Sequence, residues 1–308
     1  MGSTNRHRAR GQAEGLQGAI DASGTSLVLG TLSWARNQDD HAPLSRERFL
    51  SSIAGAVNTR RKPPLGVLLC AGHGLAAAPQ PRAILDASGG TPVVYETDNG
   101  DETRSYRLAL NVDGSPRSIV LRNRQLVVEA EDATANNDLQ RSLVDLVARR
   151  AGVIDAAGHG LSLVLMICGE NNAVHHARPA SVMAGGRQAD LSALKGRWIL
   201  LNPAHKAYRN VGGGRVKVEA GQYGHGPMLG HLAATDRTFN DGTRTPEAVV
   251  HCNNYYSGPG ERAEATRRNA SVAFSRGGAG DRLKPSLLVT DNGRVDDESD
   301  WIQARYSL

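Results

Sequence analysis

Cys168 is the residue in this sequence best placed for covalent chemistry. It follows an unbroken apolar run at 161–167 and precedes Gly169, Glu170 and Asn171. A short apolar run between turn signals is typical of a buried parallel strand, and open α/β sheets bind their ligands just beyond the carboxyl ends of such strands. A thiol there predicts a nucleophile. The competing interpretation is a small buried hydrophobe, because free cysteines are commonly buried.

Three other predicted apolar strands also end in polar residues, at 72–73, 203–206 and 252–254. The carboxyl ends of neighbouring parallel strands meet at one crevice, so we expect a shared site. His73 is predicted to be the general base, because imidazole titrates near neutrality. His205 and Lys206 are predicted to bind the substrate and supply positive charge. A structural histidine in a Gly-rich turn and an exposed loop at 205–206 are the alternative interpretations.

The composition limits the classes of partner and compartment. The formal net charge is only +5 over 308 residues and accompanies no recognition motif, so it does not point to nucleic acid. Three cysteines without close spacing indicate a reducing compartment. We find no apolar stretch of signal-peptide or membrane-span type, and we expect a cytoplasmic protein with no membrane partner.

The order of the elements predicts an α/β fold behind an N-terminal tail. Residues 1–24 are polar and aperiodic and are predicted to be disordered, and 25–308 form the folded domain. Helices predicted at 43–57 and 80–88 alternate with apolar strands, which favours parallel pairing. Asp113-Gly114 predicts a hairpin, and Asp291-Asn292-Gly293 a later turn. The sheet is therefore mixed, or two sheets lie face to face in an αββα sandwich.

Four segments, taken in order, resemble the nitrilase (carbon–nitrogen hydrolase) superfamily. They are a hairpin with a basic motif at 111–126, the Cys strand end at 167–171, a strand ending near Pro at 199–204, and a strand running into Asn at 249–254. The resemblance spans roughly residues 25–308 and implies a four-layer αββα sandwich with mixed sheets. It also implies hydrolysis of a small-molecule amide or nitrile through a Cys168 acyl-enzyme, no cofactor, and a homodimer.

The sequence departs from the family pattern at two of three catalytic positions. The family uses a Glu base, a Lys and a Cys nucleophile. The Glu position falls in Ala71-Gly72-His73-Gly74, which has no carboxylate, and the Lys position corresponds to Asn123. The prediction is therefore a divergent triad, with Cys168 and His73 as catalytic residues. Glu170, which the family uses mainly as a structural neighbour of the Cys, and Asn171 are predicted to contribute to substrate binding.

Three other interpretations stay open. The first is a catalytically inactive nitrilase-fold protein that binds a ligand. The second is a caspase-like Cys/His peptidase, because the His-Gly strand end at 69–74 resembles that clan. The third is a metal site from Cys70, His73, Cys168 and Cys252, which no close Cys pair supports. The Gly-rich stretch 209–226 is predicted to be either a lid over the site or a disordered loop.

Overall fold

The chain forms two mixed β-sheets and two helices in the residues that the computed structural model describes. These residues are 26–36, 43–59, 66–75, 77–98, 104–123, 125, 145–146, 149–156, 160–168, 170, 197–205, 247–256, 271–275, 284–285, 289–296 and 299–307. The helices are α1 (Arg46–Thr59) and α2 (Pro81–Ala87). The strands are β1 (Ser26–Arg36), β2 (Val67–Cys70), β3 (Val93–Asp98), β4 (Arg104–Val112), β5 (Ser115–Arg122), β6 (Val153–Ala156), β7 (Leu161–Leu165), β8 (Arg197–Pro203), β9 (Ala248–Cys252), β10 (Tyr255–Tyr256), β11 (Ser271–Ser275), β12 (Lys284–Pro285), β13 (Val289–Asp296) and β14 (Ser299–Ser307).

The first sheet has the strand order β13-β14-β1-β2-β3-β4-β5, with β10 pairing to the end of β1. Strands β1, β2 and β3 are parallel to one another, and β3, β4 and β5 are antiparallel. The β4–β5 hairpin turns at Asp113 and Gly114, both with positive φ (50° and 73°), as the Asp-Gly signal predicted.

The second sheet has the strand order β12-β11-β9-β8-β7-β6. Its central strands β7, β8 and β9 are parallel, and they are buried throughout except at Arg197, the first residue of β8. Antiparallel strands flank them on both sides, β6 on one and β11 on the other. Burial on both faces explains why these central strands have continuous apolar sequences rather than alternating ones.

The first sheet lies between the helices and the second sheet, as the contacts of successive side chains of β1 show. Successive side chains of a strand point to opposite faces. Trp34 contacts Phe49 of α1, with ring centroids 6.1 Å apart, and its indole nitrogen donates to Ser52. The neighbouring Ser33 hydroxyl lies 3.6 Å from Cys252 Sγ in β9. The two sheets therefore pack face to face across an apolar core.

The predicted α/β class with mixed sheets is confirmed, and three details differ. Strand β2 belongs to the first sheet and β7, β8 and β9 to the second, so the polar strand ends meet across two sheets rather than along one. The predicted turn at 291–293 is wrong, because these residues pair with β14 inside β13. Strand β13 is an edge strand with irregular register on either side of 291–294, and such a strand accommodates turn-forming residues. Strand β6 was not anticipated.

Several predictions fall on residues outside the described ranges. They include the tail at 1–24, the Gly-rich stretch 209–226 and any layer that covers the outer face of the second sheet. Within the described ranges, neither helix is long and apolar enough to cross a lipid bilayer.

Candidate active site

The ends of β7, β8 and β9 carry the predicted nucleophile and the groups around it. Their backbones stay linked beyond the strands, since Cys168 N donates to Pro203 O and Ala204 N donates to Cys252 O, each at 2.7 Å. The segment that follows β2 of the first sheet is hydrogen-bonded to the segment that follows β8, because Gly72 N donates to Ala204 O at 3.0 Å. The predicted meeting of four polar strand ends is therefore present in the structure.

Cys168 has a backbone conformation that is rare for a side-chain-bearing residue. Its φ is +42°, in the left-handed region, which costs energy and is found most often where function requires a particular side-chain direction. Asn202 holds this turn by donating from Nδ2 to Met166 O at 2.6 Å and to Cys168 O at 3.4 Å. The Asn202 Oδ1 in turn lies 2.7 Å from His251 Nδ1 and accepts a hydrogen bond from it. Cys168 is partly exposed, whereas Cys70 and Cys252 are buried.

His205 connects Cys168 to a carboxylate on the opposite sheet. Its side chain is hydrogen-bonded to the Cys168 side chain, and its Nε2 lies 2.5 Å from Glu96 Oε1. Asn254 Nδ2 donates to the backbone oxygens of His205 and Gly72, at 3.2 and 2.9 Å, which fixes the loop that carries the imidazole. The side chains of Cys168, His205 and Glu96 therefore form one hydrogen-bonded chain.

Glu96 reaches this site because of its position on β3. The preceding Tyr95 contacts Phe49 of α1, at 5.7 Å between ring centroids, so Glu96 points to the opposite face, toward the second sheet. In the sheet register Glu96 pairs with Tyr106, and Tyr106 pairs with Arg122. These three residues form a row on adjacent strands, and the sequence reasoning had named neither Glu96 nor Tyr106 as a site residue. The rule used for the other strand ends would have found Glu96, since it directly follows the apolar residues of β3.

The charge of Glu96 changes the protonation of His205. Burial lowers the pKa of His205, but the negative charge of Glu96 and hydrogen bonds to Cys168 and Glu96 outweigh burial and raise this pKa to about 10. Arg104 lies 3.7 Å from the second oxygen of Glu96, at the exposed side of the pair. The imidazole is therefore held as a cation at neutral pH.

This cation makes the stability of the protein depend on pH. The folded protein binds the His205 proton more tightly than the unfolded chain, whose histidine titrates near ~6.5, so the stabilisation is complete below that pH and is lost as the pH rises through about 10. We expect the free energy of unfolding in urea to fall between pH 6.5 and 8.5.

The matched variant for this titration is His205→Gln, which should flatten the slope in the same range. The measurement stops at pH 8.5. Burial raises the pKa values of Cys70 and Tyr106, so above this pH these two groups also lower the free energy of unfolding as the pH rises. Equal slopes for the two proteins would contradict the assignment of the proton to His205.

Gly72 is tightly enclosed beside the imidazole. A Cβ atom on Gly72 would lie 2.5 Å from Tyr106 Oη and 2.6 Å from His205 Cδ2. Any larger side chain must therefore displace one of these two groups. The glycine predicted as a turn signal is required here for close backbone approach.

Glu170 and Arg122 form a buried ion pair close to Cys168 in the chain. Arg122 Nη2 lies 2.5 Å from Glu170 Oε1, Nη1 lies 3.2 Å from Oε2, and the two side chains are 1% and 0% exposed. Glu170 Oε2 also accepts from Ile167 N at 2.8 Å. The pair therefore ties the segment around Cys168 to the end of β5.

The other predicted site residues are placed as follows. His73 is buried, with its ring edge-on to Trp34 at 6.1 Å between centroids. Asn171 and Lys206 lie outside the described residues. In the part of the chain that the structure describes, no three His, Cys, Asp or Glu side chains are grouped to hold a metal ion.

Similarity to known proteins is found among solved structures. No protein-family model and no curated protein matches the chain. Among solved structures it is similar to a carbon–nitrogen hydrolase from Helicobacter pylori G27, with 11% sequence identity and a TM-score of 0.41, covering 91% of this chain and 89% of that chain. At this identity, the roles of individual side chains follow from the geometry of this chain itself.

Proposed function

We propose that this chain is a cysteine-dependent hydrolase that cleaves the carbon–nitrogen bond of a small amide. Cys168 is the nucleophile, His205 the general acid and base, and Glu96 the group that orients the imidazole. The observation that carries the proposal is the hydrogen-bonded chain from Glu96 through His205 to Cys168. A nucleophile, a base within hydrogen-bond reach and a third group that orients the base are the requirements of covalent acyl transfer.

The charge state of this chain suits activation of the thiol. An imidazolium beside a thiol favours the thiolate, which is the reactive form of cysteine. Glu96 stabilises the imidazolium across a distance of 2.5 Å. With Nε2 directed to Glu96, Nδ1 is the nitrogen left to exchange a proton with the sulfur and the substrate. In this scheme His205 replaces His73 as the base, and Glu96 supplies the carboxylate that the family pattern places after β2.

Acylation proceeds in two steps. The thiolate of Cys168 attacks the amide carbon, a C–S bond forms, and the carbonyl electrons move to oxygen. The carbonyl then re-forms as the C–N bond breaks, and the leaving nitrogen takes the proton of His205. Because the thiolate charge is consumed in the attack, the imidazolium loses one of the negative groups that hold its proton and becomes a stronger acid.

Deacylation returns the enzyme to its starting state. His205, now neutral, removes a proton from water, and the resulting oxygen nucleophile attacks the thioester carbon. The C–S bond breaks, a carboxylic acid leaves, and Cys168 departs as the thiolate beside the re-formed imidazolium. An amine leaving group needs a proton, which this cycle supplies, so amides are the first substrates to test, with nitriles beside them.

Alkylation with iodoacetamide tests the central ion pair. We expect Cys168 to be alkylated at pH 6 to 7, where an ordinary thiol with a pKa near ~8.5 is almost fully protonated. The buried Cys70 and Cys252 act as internal controls when the three sites are followed separately by mass spectrometry. The variant His205→Asn should bring the rate for Cys168 down to that of an ordinary thiol. A wild-type rate that rises only around pH 8.5 would refute the proposal and favour an inactive binding protein.

The remaining parts of the proposal concern the setting of the reaction. A panel of amides, nitriles and short peptides separates the small-amide hydrolase from the Cys/His peptidase, which would use the same dyad. We also propose a reducing compartment, for which the three free cysteines are the supporting observation. The homodimer that the family resemblance implies is a further proposal. Sedimentation of the purified protein measures the dimer directly.

A further inference from the structure

Tyr106 carries a buried hydroxyl that the fold itself leaves unused. The residue lies on β4 and is 1% exposed. Among the described residues, its Oη has no hydrogen-bond partner. A buried hydroxyl without a partner is uncommon in folded proteins and costs free energy. Such a group is expected where a ligand, rather than the protein, completes the hydrogen bond.

The hydroxyl lies beside the His205 imidazole. The Tyr106 ring packs edge-on against the His205 ring, with centroids 6.4 Å apart. Its Oη borders the space above Gly72, where a Cβ atom would meet both Tyr106 and His205. Glu96, its cross-strand neighbour, binds Nε2 of the same imidazole. Tyr106 is therefore an immediate neighbour of the proposed acid–base group.

We propose that Tyr106 Oη donates a hydrogen bond to the oxyanion that forms when Cys168 attacks the substrate carbonyl. This inference rests on the proposed function and assigns a further catalytic residue to it. The hydroxyl keeps its proton throughout: it stabilises the charge on oxygen while the C–S bond forms, and it releases the oxygen when the carbonyl re-forms. Fixed donors aimed at a developing charge are among the largest contributions to enzymatic rates.

The electrostatics of the site keep this hydroxyl in its donor form. Burial raises the pKa of Tyr106 well above its ordinary value, and the negative charges of Glu96 and Cys168 raise it further. A phenol that does not ionise can donate a hydrogen bond over the whole working pH range.

The test is Tyr106→Phe, which removes one oxygen atom and keeps the ring. We expect kcat for amide hydrolysis to fall by roughly 10²–10³-fold, as for loss of one oxyanion donor, with little change in KM. A small aldehyde, which adds the thiol to give a tetrahedral oxyanion, should bind more weakly by a similar factor. Alkylation of Cys168 by iodoacetamide should be unchanged, because displacement of iodide creates no oxyanion.

Tyr95→Phe is the matched control. The Tyr95 hydroxyl lies 2.8 Å from Ser118 Oγ on the opposite face of the sheet from Glu96. Its loss should lower the melting temperature and leave kcat unchanged. Tyr106→Phe should leave the melting temperature the same or raise it, because the hydroxyl it removes has no partner. If the role of the Tyr106 hydroxyl were purely structural, Tyr106→Phe would lower the melting temperature and leave kcat unchanged.

The possible outcomes separate this inference from the proposed function. If Tyr106→Phe keeps wild-type kcat and aldehyde affinity, the inference is overturned while Cys168 stands as the nucleophile. If wild-type Cys168 is unreactive and turns over no amide, the proposed function fails, and the role of Tyr106 fails with it. A selective loss of kcat and aldehyde affinity, with normal alkylation, supports the inference.

Discussion

Cys168→Ser is expected to lower kcat for the amide substrate by about 10⁴-fold or more, as loss of a triad nucleophile does in related chemistry. The change exchanges sulfur for oxygen at one position and leaves the turn held by Asn202 intact. A serine hydroxyl is a much weaker acid than a thiol, so the imidazolium of His205 cannot keep it ionised. The measurement is kcat and KM for wild type and variant at one pH, with thermal unfolding to confirm the fold.

Cys252→Ser provides the matched control for this loss. The Cys252 sulfur donates to Leu32 O and Leu69 O, at 3.3 and 3.5 Å, in the buried face between the sheets. A serine can make the same hydrogen bonds, so activity should be retained. The double variant of Cys168→Ser with His205→Asn should be no worse than the worse of its single changes, because the two groups act as a unit. Retention of more than a tenth of wild-type kcat in Cys168→Ser would exclude this nucleophile.

Arg122→Met is expected to destabilise the fold by about 3–5 kcal/mol, because it leaves a buried carboxylate without its charged partner. Glu170 is fully buried and has both oxygens directed to Arg122. Methionine fills much of the volume of the arginine stem, so the loss is one of charge more than of packing. Denaturant unfolding at pH 7 measures the difference.

A second change should recover part of this loss. Glu170→Gln, added to Arg122→Met, removes the unpaired charge and keeps an oxygen that accepts from Ile167 N. The exposed pair of Arg82 and Asp86, with side chains 82% and 73% exposed, is the comparison. Arg82→Ala should change the unfolding free energy very little. A loss below about 1 kcal/mol for Arg122→Met would mean that water or another cation reaches Glu170.

The sequence predicted the parts of the site that depend on local pattern. The apolar run before Cys168 is bounded by glycines, and so β7 and the turn after it could be located. The strand end at 203–205 was found in the same way. These elements are defined by a few consecutive residues, and no distant contact is needed to place them.

The parts that were missed depend on contacts between distant segments. His73 and His205 both follow apolar strands, and only the packing of one sheet on the other decides which imidazole meets Cys168. Glu96 lies in the site because β3 and β4 pair in a particular register, and β4 pairs with β5 across an irregularity at Tyr106 and Arg107. A one-residue slip in that pairing would turn the side chains of the row to the other face. A single sequence holds no local mark of that register.

The division of the site between two sheets has a consequence for the folding chain. Glu96 belongs to the first sheet, and Cys168 and His205 to the second. Until the sheets dock, the imidazole has no carboxylate to hold its proton, and the thiol behaves as an ordinary cysteine. A nascent or partly unfolded chain is therefore spared a reactive sulfur that oxidants and electrophiles would modify. On the proposed function, we expect the nucleophilicity of Cys168 to appear only with the completed tertiary structure, so that the rate of its alkylation follows the docking of the two sheets during refolding.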